Sequence, residues 1–237
     1  MTGAFVERCA TGIPGFDRAC EGGFVRNSSN VIIGGPGSGK TTFLLQFLWN
    51  GATMYNENGL YCSFEPDVIE TLKDAQVHGW DFAKLNEQDR VKFLKFSPKT
   101  TVEQLKSQLT EVISKYEIKR ICFDPISVLA IHLNDLGTIR ETIFELIGLM
   151  KRLKVTSILV EEAAEEHRFT RELTSWRKTD IIKFLSDSVI TFYEQGIADI
   201  EERSMRINKM RRTDHERDIL KMKLSSKGVE FGTPVVE

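Results

Sequence analysis

No C-x-x-C spacing links the four cysteines, Cys9, Cys20, Cys62 and Cys122, so the sequence offers no cysteine motif for metal or redox chemistry. Cys62 and Cys122 lie inside apolar, strand-like runs, and the four are expected to be reduced, mostly buried thiols. A formal net charge of −2 gives no global signature of nucleic-acid binding; any such binding needs a local patch. No uncharged apolar run reaches membrane length. The opening MTGAFVERCATGIPGFD places acidic and polar residues where a secretory signal needs an apolar core, so a cytoplasmic location without a membrane partner is expected. Internal repeats and low-complexity linkers are also missing. The 237 residues can bury a core without disulfides or metals, and a single domain over residues 1–237 is expected.

What is present centres on Asn30 to Asn50, NVIIGGPGSGKTTFLLQFLWN. The pattern G-x-x-x-x-G-K-[ST] is filled by Gly34, Gly39, Lys40 and Thr41, with Gly35 and Gly37 adding backbone freedom. Backbone N–H groups converge on phosphate oxygens only where side chains are absent and positive φ is allowed. The following helix adds its positive end. Gly35, Pro36, Gly37, Ser38, Gly39, Lys40, Thr41 and Thr42 are the expected ATP-binding residues. Lys40 reaches the β and γ phosphates as a mobile charge, and the Thr41 hydroxyl is placed to ligate Mg²⁺. The context is right: Val31 to Ile33 form a strand, while Phe43, Leu44, Phe47 and Leu48 share one side of a helix.

Ahead of this cradle, TGIPGFDRACEGGF is a glycine-punctuated lead-in with Phe16 and Phe24 as anchors under a sheet edge. Behind it, strands are expected at Leu60–Phe64, Val91–Phe96, Arg120–Phe123 and Val155–Val160. Helical spacing marks 67–78, 101–116 and 136–154 between them. That alternation predicts an α/β fold with a doubly wound, mostly parallel sheet, whose ligands gather at the carboxyl ends of the strands. Segments 162–180 are strongly charged and read as a helix plus mobile loop, with Ile181 to Leu185 returning to the core. Strands near 188, 205–210, 218 and 228 follow without long helices between them, predicting an antiparallel C-terminal extension.

Two acids close strands where such folds place chemistry. Asp124 is expected to hold Mg²⁺ directly or through water, opposite Thr41; the alternative is an aspartate turn onto Pro125. Glu65 is expected to orient and deprotonate the attacking water; the alternative is a helix N-terminal acid. Lys209 and Arg211, two apart on a strand, share a face and present either a paired positive charge or a solvated basic surface.

The chain resembles the KaiC-like ATPases of the RecA superfamily over nearly its whole length. GFD…GGF, the cradle with TTFLLQFLWNG, YCSFE ending at Glu65, ICFD ending at Asp124, and KMRRTDH from Lys209 to His215 fall in that family's order. The resemblance implies a RecA-like P-loop NTPase that binds ATP between neighbouring subunits of a homo-oligomer, commonly a hexameric ring. It implies Glu65 as the catalytic glutamate and Lys209 with Arg211 as the Lys-x-Arg element reaching a neighbour's γ-phosphate. Val160, Glu161 and Glu162 fall in a region that senses the γ-phosphate in the superfamily, with Glu162 as the sensor candidate and a solvated helix-start acid as its alternative.

Departures from the pattern matter too. Pro66 follows Glu65 where the family often has a second acid, which implies slower or differently tuned hydrolysis. A single ATPase copy is present, and no segment matches the autophosphorylated serine and threonine, so autokinase activity is not expected. Two other functions fit the residues: a recombinase-like module binding single-stranded DNA, and a nucleotide-gated regulator of a protein partner with negligible turnover. DNA would fall to loops 127–135 and 167–178, the latter with Arg168, Arg171, Arg177 and Lys178 beside Phe169 and Trp176. Neighbouring glutamates dilute that charge.

Overall fold

A computed structural model describes residues 6–64, 68–97, 99–128, 136–162, 178–194 and 203–234. The strands are β1 (Arg8–Cys9), β2 (Phe24–Val25), β3 (Ser29–Gly34), β4 (Asn58–Ser63), β5 (Val91–Lys95), β6 (Ile118–Asp124), β7 (Thr156–Glu162), β8 (Ser188–Tyr193), β9 (Ser204–Met210), β10 (Leu220–Ser225) and β11 (Gly228–Pro234). The helices are α1 (Phe16–Ala19), α2 (Lys40–Met54), α3 (Val68–Val77), α4 (Phe82–Glu87), α5 (Val102–Lys115), α6 (Leu136–Arg152) and α7 (Lys178–Leu185).

Nine strands form one sheet in the order β11-β10-β9-β8-β3-β7-β6-β4-β5. Every pairing from β8 across to β5 is parallel, and those from β8 out to β11 are antiparallel. This is the predicted α/β architecture with its C-terminal extension. Strands buried on both faces lose the period-two signature, and β3, SNVIIG, is buried at every position.

The two faces carry separate cores. One gathers α2, the N-terminal lead-in and the C-terminal strands, and the other gathers α5, α6 and α7. Phe16 and Phe24 do anchor the lead-in: their rings stand 5.1 Å apart and meet Phe43, Phe47 and Phe231. Edge-to-face packing of such rings adds to the roughly 1.5–3 kcal/mol that burying each phenylalanine contributes. Because α2 is covered by the sheet on one side and by these segments on the other, Leu45 and Gln46 are buried along with the apolar stripe.

Local signals explain several boundaries. The Thr101 hydroxyl accepts from the Gln104 N–H at 3.2 Å while the Gln104 side chain accepts from the Thr101 N–H at 3.0 Å, a capping box that starts α5. Helix α4 falls between 67–78 and Val91–Phe96, where helical spacing marked no element. Its six residues are too few to show a period, but Asp81 caps it through the Lys84 N–H at 3.0 Å. All four cysteines are buried and unpaired. No helix among the described residues is long and apolar enough to cross a membrane.

Candidate functional site

Strand β3 delivers the chain into the glycine-rich turn, and α2 carries it away. Gly37 and Gly39 have φ of 73° and 92°, a region that strains any other residue. The turn is closed by the Ser38 hydroxyl, which donates to the Gly35 carbonyl at 2.8 Å. A Cβ on Gly35 would meet nothing within 4 Å, so the mouth of the turn stays open to a ligand. Pro36 and Gly37 are exposed, and Thr42 is half-buried on the first turn of α2. N–H groups at the start of α2 have no intrahelical acceptor and point out of the helix end.

Lys40 is buried, and its ammonium donates to the carbonyls of Gly34 and Gly35 at 2.9 and 2.6 Å. It therefore lies across the turn that the triphosphate would enter. The Thr41 hydroxyl donates to Asp124 Oδ2 at 2.8 Å, across 83 residues of sequence. Asp124 ends β6 beside β4, in register with Ser63, and is 8% exposed. Burial raises the pKa of its carboxyl, opposed by hydrogen bonds from Tyr61 and Thr41 and by the charge of Lys40; the Glu162 carboxylate raises it further. A hydroxyl and a carboxylate, both hard oxygen donors, beside an anion cradle suit Mg²⁺ better than a softer ion. Lys40, Thr41 and Asp124 are thus brought together at one end of the cradle.

Glu65 lies outside the described residues, as does most of both proposed DNA loops, 127–135 and 167–178. Glu162 is exposed at the end of β7, in register with Gly34 on the cradle strand. Its neighbour Glu161 turns to the opposite face and is buried, and desolvation pushes its pKa up to about 7. The sequence placed both acids in one region and singled out Glu162, because alternation across a strand end cannot tell which acid is covered.

Lys209 and Arg211 sit elsewhere. Gly34 pairs with Phe192 at the cradle end of β8, whereas Lys209 pairs with Val189 near its start. They therefore occupy the opposite end of the parallel strands from their own cradle. The Lys209 ammonium donates to the carbonyls of Lys183, Phe184 and Ser186 at 3.1, 3.3 and 2.6 Å, closing the carboxyl end of α7. Arg211 falls one residue past β9, its N–H held by the Asp187 carbonyl at 3.0 Å and its side chain exposed.

A nucleotide-type phosphate cradle on a mostly parallel sheet with an antiparallel extension defines a RecA-like α/β protein. The family described as "ATPase: KaiC" matches residues 9–235, and the chain belongs to that family. Among curated relatives, it is 28% identical over 235 residues to the circadian clock oscillator protein KaiC of Parasynechococcus marenigrum, covering 95% of this chain and 45% of that protein. The circadian clock oscillator protein KaiC of Thermostichus vulcanus is 29% identical over 228 residues, covering 91% and 42% respectively. The chain thus spans less than half the length of these relatives. A crystal structure of a KaiC-like protein from the archaeon Pyrococcus horikoshii OT3 superposes with a TM-score of 0.83 at 29% identity, covering 97% of this chain and 100% of that one.

Proposed function

We propose that this protein is a Mg²⁺-dependent ATPase of the KaiC and RecA type whose nucleotide site is completed by a neighbouring copy, in an oligomer with a regulatory role. The observation that carries the reading is the 2.8 Å hydrogen bond from Thr41 to Asp124 beside the glycine cradle, which joins the two expected metal-holding groups.

In this reading the N–H groups of residues 37–42 grip the phosphates, and Lys40 leaves the Gly34 and Gly35 carbonyls for phosphate oxygens. Thr41 and Asp124 would hold Mg²⁺, which when bound neutralises charge on the phosphates. Glu65 accepts the proton of the attacking water. Lys209 and Arg211 act on a neighbour's phosphates, in a ring expected to be hexameric. Support for a shared site is the placement of both residues at the far end of the strands from their own cradle. Arg211 is exposed, and Lys209 caps α7 until a neighbour's phosphates draw its ammonium away. The output is a change in subunit packing that a protein partner can read.

The test is sizing with ATP and Mg²⁺ against the nucleotide-free form, with phosphate release measured on the same samples. Turnover per subunit is expected to rise over the concentration range in which assembly occurs. Turnover independent of concentration across that range would contradict a shared site.

A further inference from the structure

Asp124 Oδ2 accepts a second hydrogen bond, from the phenol of Tyr61 at 2.6 Å, shorter than the one from Thr41. Tyr61 lies in the middle of β4, beside Cys122 of β6 and two residues short of the strand end where Asp124 stands level with Ser63. Side chains two apart on a strand share a face. Cys122 and Asp124 therefore both face α2, and the long tyrosine ring runs beneath that helix until its hydroxyl meets the carboxylate. The ring is 2% exposed and packs 5.7 Å from Phe93, and Thr71 of α3 stands beside its hydroxyl. Packing by the core thus locks the donor in place before any ligand arrives.

A phenylalanine would fill the same space with the same contacts, so packing does not require the hydroxyl. An ionised aspartate buried to this depth needs donors, and a carboxylate with one donor can still swing about it. Two donors converging on one oxygen from different elements, α2 and β4, hold its rotation. We propose that Tyr61 is a positioning residue for the metal site: its hydroxyl fixes the Asp124 carboxylate in the orientation that receives Mg²⁺ with nucleotide. The inference rests on the proposed Thr41 and Asp124 metal site and adds a supporting residue to it. Partners behind metal-holding carboxylates commonly change metal affinity by about 10–100-fold when removed.

The experiment is direct Mn²⁺ binding by electron paramagnetic resonance in the presence of a nonhydrolysable ATP analogue, alongside nucleotide binding in excess EDTA. Wild type, Tyr61→Phe and Asp124→Asn are compared. Tyr61→Phe is expected to weaken Mn²⁺ binding about tenfold while leaving metal-free nucleotide binding within about twofold. Unchanged Mn²⁺ affinity in Tyr61→Phe, with Asp124→Asn impaired, would overturn the role of Tyr61 and leave the metal site standing. Unchanged Mn²⁺ affinity in both variants would overturn the metal site itself and Tyr61's role with it. If Tyr61→Phe does not fold, 3-fluorotyrosine at position 61 preserves the shape. Its ¹⁹F resonance is expected to shift on adding Mg²⁺ to the nucleotide complex, and an unmoved resonance would overturn the proposal.

Discussion

Arg120 donates through Nε to Glu57 Oε2 at 2.7 Å, and the arginine is 0% exposed. Its other nitrogens donate to the carbonyls of Phe47 and Ala10 at 3.0 and 2.8 Å, and the guanidinium stacks over the Phe47 and Tyr55 rings. Glu57 in turn accepts from Arg26 at 2.7 Å. One buried cation thereby ties the lead-in segment, the cradle helix α2 and strand β6 together, two of which carry Thr41 and Asp124.

Removing Arg120 takes away one of the two cations that hold Glu57 and strips the Phe47 and Ala10 carbonyls of this donor inside the core. Arg120→Ala is expected to cost about 3–5 kcal/mol, measured by urea unfolding. Gly51→Ala should act on the same contact, because an added Cβ would lie 2.5 Å from Arg120 Cδ. It is expected to destabilise the protein by about 1–3 kcal/mol.

Glu161 predicts a pH dependence. Its pKa in the folded protein, about 7, lies above the ordinary 4.5, so the folded state holds this proton more tightly than the unfolded chain does. The associated stability is fully present below about pH 4.5 and is lost as pH rises toward 7. The loss is on the order of 3 kcal/mol for this buried group. Lys183 lowers the shift and Glu162 adds to it. Glu161→Gln is expected to be more stable than wild type at pH 8 and to show a flatter profile between pH 4.5 and 7 in urea titrations.

Lys209 and Arg211 should separate. Lys209→Met removes the cap on α7 and is expected to cost about 1–2 kcal/mol in thermal or urea unfolding. Arg211→Ala touches only an exposed side chain and should leave stability within about 0.5 kcal/mol. If Arg211 acts across an interface, that same variant loses turnover by about 10³-fold. Mixing Arg211→Ala with Lys40→Ala is then expected to restore partial phosphate release. Co-assembled mixtures that stay inactive would count against the shared site.

The cradle was legible in the sequence because its geometry is local: glycines, Lys40 and Thr41 fall within eight residues, and their spacing dictates the turn. Asp124 was legible as an acid closing an apolar run. Tyr61 and Arg120 were not. Each finds its carboxylate 63 residues away, and nothing in YCSF or KRICF distinguishes a phenol or guanidinium aimed at a buried acid from an ordinary strand residue. Likewise the C-terminal strands, with no long helices between them, announced an antiparallel edge. That β8 lies against the cradle strand β3 follows only from sheet assembly. The cap that Lys209 gives α7 was hidden for the same reason, since a basic strand residue looks alike whether it faces water or a helix end.

The most direct measurement is a crystal structure with a nonhydrolysable ATP analogue and Mn²⁺, the metal located by its anomalous signal. The expected result places the β and γ phosphates on the N–H groups of residues 37–42 with Lys40 swung onto them, and the metal peak beside Thr41 and Asp124. Nucleotide bound away from that turn, or a metal peak remote from Asp124, would contradict the assignment of the site.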